Sequence, residues 1–559
     1  MESVDHALRQ RRDRVTAMLE LCTSITEIQT QVLLDILKHN AKSRYGEKYR
    51  FEEIRSIGAW QEVPLTNYNL SEERWPGFWD DPANFTVDRL AAYFMTSGST
   101  ARPKKIPVTS SLVREKARAF GLFWDSIYAT HPALVCGNFI ANFADSGVIV
   151  RDPGNVTMMS ETTFWNKRMQ GFQDPERWPL GKRLTDIPNS ADRYYAAARL
   201  ALQGPLHCMM SLNPSTLVKF CQTIDGNRDA LADGLSHGTW GGAFDAAEKN
   251  VPRAVTDKLA ADEARARILN SGNSPSSASR LQLANIWPEL ELIICWQSAL
   301  VEPYLNLLRE YTGDIAFRDY ITQSSECAIA VPMQDNESGG LLAFTSHFYE
   351  FIPELEANND EPSVLTAWEL ETGARYEPVV TTGGGLYRYR TGDCVRVKRF
   401  IGDAPVLEFQ CRLGNTSSMT GEKLTEMQVL AAFSAANQRG PVVVREAIVF
   451  PRTVEQPHYA VLVPQQEDRL EVARSRLDAW LASFEKELYR VNGEYKDKRE
   501  SLRLGDLRLL LVSEADYRRI EQKFKPAHIG DDQFKPAYLR KERDLDRDFA
   551  LLDEVRARS

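Results

Sequence analysis

Residues 290–317 place the strongest constraint on the fold. Leu290-Glu291-Leu292-Ile293-Ile294-Cys295-Trp296 reads as a buried strand, residues 299–311 as a helix, and Ile315-Ala316-Phe317 as the opening of another strand. A strand–helix–strand rhythm indicates an α/β fold, with a sheet flanked by helices. Around it, residues 5–40 and 111–130 have helical spacing, and 190–265 reads as largely helical, broken by glycines at 234, 238, 241 and 242. Residues 271–279 read as a flexible surface loop, and 340–411 as short strands and turns.

The chain has 559 residues, too many for one ordinary core. The pattern changes at Arg412-Leu413-Gly414-Asn415. Beyond it come a helix at 422–437, strands at 442–450 and 458–464, a helix at 467–491 and a strand at 507–512. The expected division is therefore a large domain over 1–411 and a small α+β domain over 412–559.

Composition removes several classes. The 68 basic and 77 acidic side chains leave a net charge of −9, which argues against a protein that coats nucleic acid. No run of about 18 apolar residues predicts a membrane span, and Met1–His6 has no apolar signal core. None of the eight cysteines lies in a C-x-x-C pair, so a zinc ribbon or thioredoxin-type motif is not expected. Few cysteines in a long chain fit a reducing compartment. A cytoplasmic monomer is expected, with no nucleic-acid or membrane partner.

Three segments carry chemistry. Thr96-Ser97-Gly98-Ser99-Thr100-Ala101-Arg102-Pro103-Lys104-Lys105 follows the strand Ala91–Met95. Its hydroxyls, its glycine and its two lysines suit nucleotide phosphates, although the spacing is not that of a Walker A loop. A polar turn accounts for the same residues. The helix at 111–130 would aim its first N–H groups toward an anion. In Gln323-Ser324-Ser325-Glu326, the carboxylate can hold Mg²⁺ beside phosphates; a helix N-cap with its acidic partner is the alternative. In Tyr387-Arg388-Tyr389-Arg390-Thr391-Gly392-Asp393, a turn would present Asp393 to both hydroxyls of a ribose, or would simply end a strand.

Taken in this order, the three segments resemble the signature motifs of the adenylate-forming superfamily. Ile286-Trp287-Pro288-Glu289-Leu290, Ser324-Ser325-Glu326-Cys327, Tyr389-Arg390-Thr391-Gly392-Asp393-Cys394-Val395-Arg396-Val397 and Ala404-Pro405-Val406-Leu407-Glu408-Phe409 are similar to the plant auxin-responsive (Gretchen Hagen) acyl-acid amido synthetases and their bacterial relatives. Asn492-Gly493-Glu494-Tyr495-Lys496 and Gln533-Phe534-Lys535-Pro536 extend the resemblance toward the C-terminus.

The resemblance implies a large adenylate-forming domain and a small C-terminal domain that swings between half-reactions. It also implies ATP and Mg²⁺ as cofactors, with a carboxylic acid and an amine, such as an amino acid, as substrates. By the same resemblance Ser97, Gly98, Ser99 and Thr100 would hold phosphates, Glu326 the metal and Asp393 the ribose. Thr322, Gln323, Ser325 and the hinge residue Arg412 would complete the nucleotide set. Lys423 would meet the α-phosphate and Lys535 would enter for adenylation. Two departures stand out. Thr322 replaces the usual adenine-stacking aromatic, the nearest tyrosine being Tyr320, and the phosphate loop is one residue shorter than the plant form.

Arg114, Phe120, Trp124, Trp240, Phe244 and Trp296 are candidates for the acyl pocket, with ordinary core packing as the alternative for the aromatics. Three rival functions share some of these features: a CoA or carrier-protein ligase, a silent ligand-binding homologue, and a serine hydrolase. The hydrolase rests on Gly234-Leu235-Ser236-His237-Gly238, which fits G-x-S-x-G but lies where a helix is expected rather than between strand and helix. Gly383-Gly384-Gly385 lacks the spacing of a dinucleotide loop.

Overall fold

In the computed structural model of this protein the strand–helix–strand rhythm builds a parallel sheet, ordered Phe139–Ala141, Cys208–Met210, Leu292–Ile294 and Ala316–Arg318. The structure describes residues 2–96, 104–141, 149–151, 156–159, 161, 164–165, 184, 186–271, 281–298, 301–414, 416–420, 422, 424–453, 456–465, 474–500, 504–524 and 537–556. Side chains alternate across a strand, so Leu292 and Ile294 join one core while Ile293 joins another. Burial on both faces explains why this strand is a continuous apolar run. The first core includes Leu33 and Leu37 of helix Ile25–Asn40 and Phe123 and Ile127 of helix Ser110–Thr130. The second is supplied by helices Ser190–Ala201, Pro214–Gly226, Arg228–His237, Glu263–Ser271 and Glu302–Thr312.

Two further sheets carry the candidate motifs. One is ordered Lys104–Thr109, Leu90–Thr96, Thr157–Met159, Ile149–Arg151. The other has nine strands among the described residues and includes Thr322–Gln323, Ala328–Val331, Phe348–Pro353, Arg375–Thr381 and Asp393–Ile401.

The chain divides into two compact units. The first runs to Thr391 and includes Val395–Phe409; the second takes Gly392–Cys394 and most of the chain from Gln410. In the second unit the sheet is ordered Ile448–Arg452, His458–Gln465, Arg508–Ser513 and Asp553–Arg556. Tyr517 and Ile520 of helix Glu514–Phe524 pack on it. Helices Glu426–Arg439 and Arg474–Val491 meet through Phe433 and Trp480, whose rings lie edge to face at 5.7 Å.

Several elements differ from expectation. The helix expected over 5–40 is two helices, Glu2–Leu21 and Ile25–Asn40, with a 3-10 turn at Cys22–Ser24. There Ser24 leaves helical geometry, at φ −127° and ψ 30°, and the Cys22 carbonyl accepts the Asp403 N–H at 2.9 Å. Cys208–Met210 is a strand inside the stretch read as helical, too short to show alternation. Asp553–Arg556 is an edge strand of mixed charge whose only buried side chain is Val555, so it has no apolar signature. Of the loop expected at 271–279, Ser271 instead ends the helix Glu263–Ser271, and 272–279 lie outside the described residues. None of the described helices is long and apolar enough to cross a membrane.

Candidate active site

The first motif closes a β-hairpin. Leu90–Thr96 pairs antiparallel with Lys104–Thr109, ending at Thr96 opposite Lys104. Ser97, Gly98, Ser99 and Thr100 lie between these strands and outside the described residues. Lys105 reaches Asp80 at 3.2 Å, and Lys104 lies over the Tyr68 ring at 5.8 Å.

The helix at Ser110–Thr130 therefore follows a strand, not the loop itself. Its first turn is already capped: Asp88 accepts the Ser111 N–H at 2.7 Å and Thr109 accepts the Leu112 N–H at 3.2 Å. This corrects the expectation that the helix start is aimed at a phosphate. The anion at that terminus is the chain's own Asp88, a favourable position for a carboxylate.

The second motif is the turn of another hairpin. Thr322–Gln323 pairs with Ala328–Val331, and Ser324 N–H donates to the Cys327 carbonyl at 2.9 Å. The helix N-cap alternative is thereby excluded. Glu326 is buried at this turn, at 5 % exposure. Thr322, Gln323 and Ser325 are half-buried beside it, and Gln323 Oε1 is buried with no hydrogen-bond partner among the described residues. Tyr320 packs edge-on against Phe123 at 5.7 Å and Phe120 at 6.5 Å.

Two buried charges that the sequence reading passed over hold this turn. Lys116 Nζ, with its side chain 1 % exposed, donates to the Ser324 carbonyl at 2.6 Å and pairs with Glu161. Its neighbour Glu115 accepts the Gly383 N–H at 2.8 Å and meets His347 Nδ1 at 2.9 Å. Nε2 of the same imidazole accepts the Ala328 N–H at 3.3 Å. A signal was present: Leu112, Lys116, Ala119, Phe123 and Ile127 form one helical stripe in which Lys116 is the charged member.

In the third motif Gly392 has φ +71°, a conformation that favours glycine. Leu413 N–H donates to its carbonyl at 2.7 Å, and Asp393, buried, pairs with Arg412 Nε at 3.0 Å. The structure thus brings Asp393 and Arg412 together. The glycines at 383–385 are explained by packing: a Cβ on Gly383 would lie 2.3 Å from Glu115 Oε1, and one on Gly385 would lie 2.6 Å from the Phe85 ring.

Lys423 and Lys535 lie outside the described residues. Glu422, next to Lys423, is buried and accepts from the Met419 and Thr420 N–H groups at 2.7 and 2.8 Å and from the Tyr459 hydroxyl at 2.6 Å. Burial opposes its ionisation, but these hydrogen bonds outweigh burial and hold its carboxyl below the usual range.

The acyl candidates do not converge. Arg114 folds back on Ser111 Oγ at 2.9 Å. Phe120 and Trp124 pack on the first core, Trp124 stacking on Tyr128 at 5.7 Å. Trp240, Phe244 and Trp296 belong to the second core. The parallel sheet separates the two groups, which corrects the reading of one shared pocket. An open cleft of about 420 Å³ is lined by Phe244 with Tyr195 and Lys249. Ser236 is inside the helix Arg228–His237, donating to the Ala232 carbonyl at 3.0 Å, so the strand that a nucleophile elbow needs is absent at that position.

Three family models match consecutive parts of the chain: the GH3 family N-terminal domain over residues 14–317, the central domain over 340–412 and the C-terminal domain over 427–544. The chain belongs to the GH3 family. The jasmonoyl–L-amino acid synthetase JAR4 of Nicotiana attenuata is 29% identical over 264 residues, 45% of this GH3 chain and 44% of the relative, so that match spans less than half of either. The indole-3-acetic acid-amido synthetase GH3.15 of Arabidopsis thaliana is 23% identical over 441 residues, 75% of this chain and 73% of its own. The solved AtGH3.15 acyl acid amido synthetase in complex with 2,4-DB matches with a TM-score of 0.81 at 18% identity, covering 98% of this chain and 97% of that one. This GH3 chain therefore shares that fold along nearly its whole length.

Proposed function

We propose that this GH3 protein is an ATP-dependent acyl-acid amido synthetase. A carboxylate oxygen of the acid attacks the α-phosphorus of ATP, and pyrophosphate leaves, giving an acyl-adenylate. An amine nitrogen, from an amino acid, then attacks the acyl carbon; AMP leaves and the nitrogen gives up a proton. Family membership supports the reaction class. The structural observation that carries the reading is the Thr322–Val331 hairpin, with Glu326 buried at its turn and Gln323 Oε1 beside it without a hydrogen-bond partner among the described residues.

These donors suit Mg²⁺, which takes one or two protein oxygens and leaves the rest of its shell to water and phosphate. Glu326 would hold the ion, and the ion when bound offsets charge on phosphate oxygens. Asp393 accepts the ribose hydroxyls, Thr322, Gln323 and Ser325 line the nucleotide, and Ser97–Thr100 wrap its phosphates. Arg412 orients Asp393. Lys423 contacts the α-phosphate, and Lys535 enters for the first half-reaction as the C-terminal domain moves. Most of the catalytic effect comes from positioning two reactants and stabilising charge at phosphorus.

The deciding experiment is mass spectrometry of products from Mg·ATP, pooled carboxylic acids, pooled amino acids and CoA in one tube. An N-acyl amino acid with AMP is expected. A CoA thioester instead keeps the adenylation step and overturns the amine acceptor. Ser236→Ala is expected to leave turnover unchanged; its loss there with activity intact in Asp393→Ala would revive a hydrolase.

A further inference from the structure

We propose that Glu115 and Lys116 are positioning residues that clamp both arms of the Glu326 turn, so that the two buried charges on the helix Ser110–Thr130 set the geometry of the metal carboxylate. The proposal rests on the reading of Glu326 as the magnesium ligand. It concerns residues that none of the three motifs contains.

The turn is short. Ser324 ends one arm, Ala328 begins the other, and only Ser325, Glu326 and Cys327 stand between. Lys116 holds the first arm through the Ser324 carbonyl at 2.6 Å. His347 holds the second through the Ala328 N–H at 3.3 Å. His347 is itself fixed by Glu115, at 2.9 Å from Nδ1. With Nε2 accepting from Ala328, the ring proton belongs on Nδ1, where the Glu115 carboxylate accepts it. Glu115 and Lys116 are consecutive residues, so a single turn of helix fixes both arms. The other oxygen of Glu115 accepts the Gly383 N–H at 2.8 Å, tying the same helix to the chain that leads to Asp393.

Each holding group is secured in turn. Glu161 pairs with Lys116 and also accepts the Trp165 Nε1–H at 3.1 Å, so the ammonium is opposed by an anchored carboxylate. Lys116 and His347 are almost fully buried, which shields these bonds from bulk solvent. A buried lysine is costly unless paired and hydrogen-bonded. Here both conditions are met by groups that determine where Glu326 sits. Removing partners that orient a metal carboxylate lowers metal affinity by roughly 10–100-fold.

The test compares ATP binding by calorimetry in Mg²⁺ and in EDTA, with acyl-acid KM and thermal unfolding measured alongside. The reporting quantity is the ATP dissociation constant in EDTA divided by that in Mg²⁺. In Lys116→Met this ratio is expected to fall about tenfold, while metal-free ATP affinity and acyl-acid KM stay within about twofold. In Glu115→Gln the amide would donate toward His347, move the ring proton to Nε2 and set it against the Ala328 N–H; the ratio is expected to fall here too. Glu326→Gln separates the two claims. If it leaves the ratio unchanged, the metal reading fails. If it lowers the ratio while Lys116→Met and Glu115→Gln do not, the clamp is overturned. A rise in acyl-acid KM alone in Lys116→Met also overturns it, by making the lysine a substrate ligand. Should Lys116→Met fail to fold, Glu115→Gln decides on the same ratio.

Discussion

Arg388 grips Glu350 with two parallel hydrogen bonds, Nε and Nη2 each 3.0 Å from a carboxylate oxygen, and both side chains are buried. Arg388 Nη1 also donates to the Gln61 and Val63 carbonyls at 2.5 and 2.6 Å. Burial pushes the Glu350 carboxyl up even beside this guanidinium. Arg388→Met leaves a carboxyl and two carbonyls buried without their donor. A loss of about 3–5 kcal/mol is expected, because breaking one side of a buried pair strands the other. Chemical denaturation measures it; a loss below about 1 kcal/mol would place the pair among exposed ones.

Asp393→Ala is expected to weaken ATP binding and amide formation together. A hydrogen bond to a charged group contributes about 1.5–3 kcal/mol, so the loss of even one should raise the ATP dissociation constant roughly 10–100-fold. Arg412, 3.0 Å from the carboxylate, would also lose this contact. Calorimetry with ATP settles the role: unchanged affinity in this variant sinks the ribose assignment.

Much of this was legible in the chain, and the rest was hidden for physical reasons. Leu292-Ile293-Ile294 announced a doubly buried strand because no polar residue interrupts it. The three motifs were readable because each concentrates hydroxyl and charge in a short span, with a glycine in the first and third. Lys116 and Glu115 were not read, because their partners stand at Ser324, Glu161, His347 and Gly383, far away in sequence. The acyl candidates misled for a related reason: aromatic residues look alike whichever face of a sheet they cover, and only the fold separates Trp124 from Trp240. Asp88 at the start of the helix Ser110–Thr130 likewise needed the fold, since 23 residues separate it from Ser111.

Stability should carry a histidine signature. His131 Nε2 lies 2.7 Å from Asp335, which also pairs with Arg318, and Nδ1 lies 3.5 Å from Glu291. The hydrogen bond that the imidazole donates to Asp335 raises it above its ordinary 6.5, against the opposing effect of burial. A raised value means the folded state holds the proton more tightly than the unfolded one. The contribution is complete below about 6.5 and is lost as pH rises through the folded value. His131→Gln should therefore be less stable than the parent by about 1 kcal/mol at pH 6, with a smaller gap at pH 8. Denaturation curves at both pH values that show the same gap would mean His131 stays neutral throughout.

Gly383→Ala tests whether the glycine run serves packing or a ligand. The added methyl would meet Glu115 Oε1 at 2.3 Å and Ser111 Cβ at 2.9 Å. The carboxylate cannot simply swing away, because His347 holds its other oxygen. Overpacking of this kind costs about 1–3 kcal/mol. Gly58→Ala is the matched control: it lies within the helix Ile57–Gln61, with nothing inside 4 Å of the new methyl. There alanine is expected to be neutral or to stabilise by up to about 1 kcal/mol. Opposite signs in thermal unfolding would assign Gly383 to close packing against the helix. Equal stabilities, with ATP affinity lost only in Gly383→Ala, would instead make this glycine a surface that the nucleotide touches.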